Sequence, residues 1–165
     1  MRTILGRSWK RWLPQILVEP FINFSDDLPY DVKFWVFYGH VEFIHIMADR
    51  EHDEKHAFFD RNWNRIVGHQ GYPEDTRDFP PPVCLDEMIQ AAEKLGTGFS
   101  FVRIDFYEIE GRPRFGEMAF YPGSGLNSIG PESFDRQLVA LWHGKRPMPA
   151  GGVAATTSAS SVSLN

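Results

Sequence analysis

Residues 101–125 read FVRIDFYEIEGRPRFGEMAFYPGSG, two runs of alternating residues joined by a glycine-containing turn. Along a strand, residues two apart project to one face, so Arg103, Asp105 and Tyr107 share a face while Val102, Ile104 and Phe106 share the other. The apolar set packs and the charged set stays open. Glu110, Gly111, Arg112 and Pro113 supply the turn, and on the return Phe115, Glu117 and Ala119 fall on one face. A hairpin of this kind brings Asp105 and Glu117 together. Two carboxylates side by side repel unless a cation lies between them, and hard oxygen ligands suit magnesium bound together with substrate phosphates. The competing reading is a surface hairpin with solvated charges, because cross-strand charge pairs are common and contribute little.

Working outward, residues 16–21, 32–38 and 41–47 are rich in Val, Ile, Phe, Trp and Tyr and read as strands, the last two joined at Gly39 and His40 as a tight hairpin. The charged segment 49–55 leads to FFDRNWNRI, where Phe59 and Trp63 anchor a lid or short strand. Residues 72–82 are loop, since three successive prolines oppose both helix and central strand. A helix over 86–95 carries Met88, Ile89, Ala92 and Leu95 on one stripe and closes at Gly96. A second, over 131–142, opens with proline and carries Phe134, Leu138, Leu141 and Trp142 on a face. From Lys145 the residues are small and polar, which predicts a disordered tail over 145–165. The fold class expected is α+β, an antiparallel sheet of about five strands with two covering helices on one face and the other face left for ligand.

Composition bounds the function. A chain of 165 residues buries one sizeable core, and its 14 Phe, 5 Trp and 5 Tyr supply the area. A net charge of -5 argues against nonspecific nucleic-acid binding, which needs a basic face. The start, residues 1–15, is a basic aromatic lead-in with Arg2, Arg7, Lys10 and Arg11 among Trp9 and Trp12. It suits a membrane-surface or partner helix, or a helix remnant leading into the first strand, and is too short and too little apolar for a membrane span. The single cysteine, Cys84, forms no internal disulfide, fits a reducing cytoplasm, and reads as structural because no base is placed beside it. Of the six histidines, His52 and His56 have the spacing of two zinc ligands on a helix, but the run HDEKH lacks the glutamate beside the first; a solvated charged loop is the better reading. His40 and His45 need not meet. A carbohydrate-binding module using Trp35 and Trp63 rests on aromatics alone.

The ordered series ILVEPFI, YDVKFWVFYGHVEFIHI, DR, FFDRNWN, FSFVRIDFYEIEG and FGEMAFYPGSG, spanning about 16–141, resembles the TupA-like branch of the ATP-grasp superfamily. The resemblance implies a ligase that uses ATP and magnesium to activate a carboxylate as an acyl phosphate, for amide formation in cell-surface polysaccharide or teichuronopeptide biosynthesis. Its partners would be a nucleotide and a carboxylate- or amine-bearing glycan or peptide precursor. By position, Asp105 and Glu117 match the magnesium ligands, and Arg103 matches the arginine that steadies the transferred phosphoryl group. Lys33 matches a basic position whose side chain reaches phosphate or the acyl group. Glu19 matches the strand lining the adenine and ribose pocket, and Arg50 a basic position near the phosphates. Phosphoryl transfer relies on positioning and charge neutralisation, which is what metal and guanidinium provide.

Two departures follow. The further metal ligand common in ATP-grasp enzymes, an asparagine two residues after the glutamate from which the TupA-like branch itself tends to depart, is Ala119 here, and a methyl group coordinates nothing. The family's amino-terminal part, with a Lys- and Gly-containing loop over the phosphates, has no counterpart before Ile16, so residues 16–144 resemble the carboxy-terminal ATP-grasp subdomain. Three explanations compete for a half-domain of this sort: a truncated gene, a product that pairs with a separate partner protein, or a half-domain kept for binding.

Overall fold

The computed structural model describes residues 31–48 and 55–144, together with Ile16 and Val18. The expected strand over 16–21 with Glu19, the position of Arg50, the lead-in and the tail lie outside the described residues. Eight strands and two helices follow in chain order: β1 (Asp31–Phe37), β2 (His40–Ala48), β3 (Lys55–Asp60), β4 (Arg65–Ile66), β5 (His69–Gln70), α1 (Leu85–Leu95), β6 (Phe101–Ile109), β7 (Arg112–Ala119), β8 (Ile129–Gly130) and α2 (Glu132–Trp142). Six of the strands form one antiparallel sheet in the order β4-β3-β2-β1-β6-β7, and β5 pairs with β8 in a second, two-stranded sheet. The α+β expectation holds. Of the five strands expected, four are β1, β2, β6 and β7 and the fifth lies outside the described residues; β3, expected only as a charged segment leading to a lid or short strand, and the two-residue β4 bring the main sheet to six.

Both hairpin turns are tighter than the sequence suggests. Tyr38 and Gly39 join β1 to β2, and Glu110 and Gly111 join β6 to β7, all four with positive φ. That backbone matches the right-handed twist of the flanking strands, and a glycine in the second position removes the steric cost there. His40 and the Arg112–Pro113 pair, expected in turns, are already paired strand residues.

The central strand β1 is buried along its whole length, and its two faces meet different helices. Val32, Phe34 and Val36 join Val41, Ile44, Ile46, Val102, Ile104 and Phe106 in a cluster with Met88, Ile89 and Ala92 of α1. Trp35 and Phe37 join Phe43, Phe58 and Phe101 in a second cluster with Phe134, Leu138 and Leu141 of α2. Because alternate strand residues face opposite ways, the helices pack on opposite faces, which corrects the expectation of one helical face and one open one. Fourteen phenylalanines suffice to build two cores rather than one. α1 approaches β1 closely at Gly96, where a Cβ would lie 2.5 Å from Val36 Cγ1, so any side chain there would force the helix away. Leu95, expected on the packed stripe, is 41% exposed.

The β6–β7 ladder contains a bulge. Phe106 pairs with Phe115 but Ile104 pairs with Met118, so Asp105 is opposed by both Gly116 and Glu117. The strands are close here, a Cβ on Gly116 lying 3.2 Å from the Asp105 carbonyl oxygen. The extra residue changes the phase of β7. Phe115 faces the α1 side, edge-on to Phe106 with ring centroids 6.1 Å apart, and does not share a face with Glu117 as strict alternation predicts.

Candidate active site

The face of the sheet that carries α2 also carries a continuous line of charge. Lys33 of β1 is the cross-strand partner of Asp105 of β6, and Trp35 is the partner of Arg103. Register therefore places the Lys33 ammonium against the Asp105 carboxylate. Lys33 Nζ donates to Asp105 Oδ2 at 2.6 Å and to Asp31 Oδ2 at 2.5 Å. From the other side Arg103 binds Asp105 with both arms of its fork, Nε to Oδ1 at 2.8 Å and Nη2 to Oδ2 at 2.7 Å. Arg103 Nη2 also donates to Glu117 Oε1 at 2.5 Å. The resulting order, Asp31, Lys33, Asp105, Arg103, Glu117, alternates in sign across three strands.

Burial along this ladder is uneven. Lys33, Asp31 and Asp105 are almost completely enclosed and Arg103 nearly so, whereas the Glu117 side chain is 62% exposed. Enclosed charges are tolerated only when paired and hydrogen-bonded, and the alternation meets that condition. Lys33, expected to reach toward phosphate, is instead held between two carboxylates. The ladder opens to solvent at Glu117.

The expectation that Asp105 and Glu117 converge is met through Arg103, whose Nη2 lies between an oxygen of each. A positive centre already joins the two carboxylates, and two hard oxygen donors are what a magnesium ion takes from protein when substrate phosphates supply the rest. The donor set fits that ion. Among the described residues no cluster of three or more His, Cys, Asp or Glu side chains could hold a metal by itself. Ala119 pairs with Arg103 across the ladder, so the position expected to lack a metal ligand is on the same face and contributes only a methyl group.

Next to Lys33, on β2, lies His45, a residue that alternation in an apolar strand gives no reason to single out. It is buried, stacks on Phe58 with centroids 4.3 Å apart, and its Nε2 lies 2.9 Å from His56 Nδ1. His56, expected in a solvated loop, is a buried residue of β3 stacked on Tyr72. His52 lies outside the described residues. The signal that could have marked His45, though not its partner, was a polar residue in the middle of the apolar run VEFIHIM.

Burial first, and then the charges of His56, Lys33 and Arg103, push the His45 pKa well below its ordinary 6.5. The folded chain therefore holds His45 neutral while the unfolded chain protonates it near 6.5. Below that pH the unfolded state binds more protons, so stability falls as pH drops through 6.5 and keeps falling until the depressed folded value is reached. The slope for one group is at most about 1.4 kcal/mol per pH unit. Thermal denaturation of wild type and His45→Gln between pH 7 and 5 checks this: the wild type should lose more stability than the variant over that window, and parallel profiles would contradict the assignment.

Cys84 is buried beside α1, and burial together with the Glu108 carboxylate pushes its thiol up to about 11. A thiol held protonated at neutral pH is not a nucleophile, in keeping with the structural reading. Trp35 is only 4% exposed, so the carbohydrate-module reading loses one of its two anchors.

A model of the family described as TupA-like ATPgrasp matches residues 7–142, most of the chain. The chain belongs to the TupA-like ATP-grasp family. No curated protein and no solved structure matches it. Within the family's frame, four of the six residues singled out by sequence, Lys33, Arg103, Asp105 and Glu117, come together in one ladder, and Glu19 and Arg50 lie outside the described residues. Asp31, two residues before Lys33 on β1, is an integral member of the same ladder. No helix among the described residues is long and apolar enough to cross a membrane.

Proposed function

We propose that the ladder is the metal and phosphoryl end of an ATP-grasp ligase site. The observation that carries the reading is the convergence of Asp105 and Glu117 on one arginine, in a chain of this family. In the reaction we assign, an oxygen of a substrate carboxylate attacks the γ-phosphorus of ATP and ADP leaves. An amine then attacks the carbonyl carbon of the acyl phosphate, inorganic phosphate departs, and the amine's proton passes to solvent, giving an amide. Asp105 and Glu117 would hold magnesium, which when bound neutralises charge on the phosphates. Arg103, freed from Glu117, would turn its fork to the transferred phosphoryl group, a geometry its planar donors suit.

Lys33 acts as a positioning residue in this scheme: enclosed between Asp31 and Asp105, it fixes the Asp105 carboxylate. Glu19 and Arg50 are assigned to the ribose and phosphates of the nucleotide by family position alone. The precursor would be a glycan or peptide of the cell envelope, and the compartment the cytoplasm.

A second reading is a binding half-domain completed by a partner protein. It is favoured by the fact that both Asp105 oxygens are already engaged by Arg103. Calorimetric titration with Mg-ATP separates the two, with Glu117→Gln as the probe. Glu117 is mostly exposed, so the substitution should shift stability by less than about 0.5 kcal/mol. It should nonetheless abolish magnesium-dependent nucleotide binding. Binding that survives unchanged would remove Glu117 from the metal site, and no binding by the folded wild type would favour the half-domain.

A further inference from the structure

On the same face as the ladder, further along the same β1–β6 strand pair, a cleft of about 290 Å³ opens between the sheet and α2. Its floor is Trp35, Phe37 and Phe101, and Leu138, Val139 and Trp142 of α2 form one wall. Pro122, Gly125 and Ile129 face them. Trp142 lies stacked on Phe101 with centroids 5.0 Å apart, which carries the aromatic surface of the floor up into the α2 wall. The segment opposite α2 is the turn Pro122–Gly125, in which Gly123, Ser124 and Gly125 all have positive φ, a course that keeps the backbone compact against the cleft.

Trp35 connects the two regions. It lines the cleft and is also the cross-strand partner of Arg103. Residues two apart on a strand are about 7 Å apart, so the floor at Phe37 and Phe101 begins within about that distance of the Trp35–Arg103 pair. The Trp35 indole nitrogen is buried and has no hydrogen-bond partner, an uncompensated donor at the junction of the charged and apolar regions.

We infer that the cleft receives an apolar, ring-bearing portion of the carboxylate substrate, with the carboxylate itself directed to the Arg103 end of the ladder. This rests on the ligase reading above and specifies its substrate class. The lining decides against an unmodified sugar. A pyranose carries several hydroxyl groups, each costly to bury without a partner, and the cleft offers mainly aromatic and aliphatic carbon. Its polar side chains are Gln70, Asn127, Asp135 and His143, the last of them exposed. An aryl side chain on a peptide-like acid meets the same surface without that cost.

The test uses N-acetyl-L-phenylalanine, which carries a ring and a carboxylate at about the required spacing, against glucuronate, which carries a carboxylate on a sugar. Binding is read from tryptophan fluorescence, since Trp35 and Trp142 line the cleft. Val139 is half exposed, so Val139→Arg is compatible with folding while placing a charge in the wall; Val139→Leu is the apolar control, and near-ultraviolet circular dichroism reports the fold of both. The aryl acid should bind saturably, with Val139→Arg weakening it about ten-fold and Val139→Leu much less. Glucuronate should not compete. Tighter binding of glucuronate, no saturable binding of the aryl acid, or equal binding by Val139→Arg would each overturn the inference. Mg-ATP titration of the same samples keeps the two readings apart: nucleotide binding without aryl-acid binding sinks only the cleft, and the reverse sinks only the nucleotide site.

Discussion

Asp105→Asn should destabilise the chain by about 3–5 kcal/mol and leave no measurable Mg-ATP binding. Asp105 is the middle member of the ladder and takes three charge-assisted hydrogen bonds, two from Arg103 and one from Lys33. An amide of the same shape keeps one acceptor oxygen but turns an N-H donor toward cations and carries no negative charge. Two enclosed cations then lose the charge between them, Lys33 keeping Asp31 and Arg103 keeping the mostly exposed Glu117, and the cost is that of breaking a buried network rather than the smaller net worth of an intact pair. Typical domains are stable by only about 5–15 kcal/mol, so this is a large fraction of the total. Urea denaturation should show a lower midpoint with an unchanged slope. A loss under about 1 kcal/mol would mean that Asp105 is hydrated and that the ladder is not the enclosed network described. Glu117→Gln is the informative partner experiment, because it removes the other carboxylate where solvent already screens it and so separates binding from stability.

Lys33→Met should cost a similar amount, about 3–5 kcal/mol, by a different route. Asp105 keeps both arms of Arg103, and what is broken is the buried pair between the Lys33 ammonium and Asp31 Oδ2, 2.5 Å apart, together with the Lys33–Asp105 bond. Coupling follows from this. In Asp31→Asn/Lys33→Met both members of the 2.5 Å pair are removed together, and the double variant should be more stable than the sum of the single losses predicts, by about 1–3 kcal/mol. Additive losses in denaturation would show that the two side chains act independently. Because Lys33 does not reach the open end of the ladder, any double variant that folds should bind Mg-ATP with weakened affinity rather than none, in contrast to Asp105→Asn.

The sheet was legible because β1, β2, β6 and β7 are long enough for composition and alternation to register, and because a glycine marks each tight turn. α1 and α2 were legible from stripes ending at Gly96 and beginning at Pro131. What sequence could not supply was anything set by register between strands. Nothing in DVKFWVF says that Lys33 will face Asp105, or that Asp31 will complete the ladder. Nor does VEFIHIM say that His45 meets His56, which depends on how β2 and β3 align. The placement of the helices on opposite faces was hidden for a related reason. A strand buried on both sides has no polar face to betray it, and the one charged pair in β1, Asp31 and Lys33, looks like a solvated edge until its partners are known.

The bulge at Gly116 and Glu117 separates the hairpin into an outer arm, which can vary, and an inner arm, which cannot. Continuing the register set at the Glu110–Gly111 turn without it would pair Ile104 with Glu117 and Arg103 with Met118, putting a carboxylate into the α1 core and a thioether on the ladder. Matched two-residue gains or losses on both strands beyond Phe106 and Phe115 keep every side chain on its present face. Loss of one residue at the bulge exchanges the inside and the outside of the site in a single step.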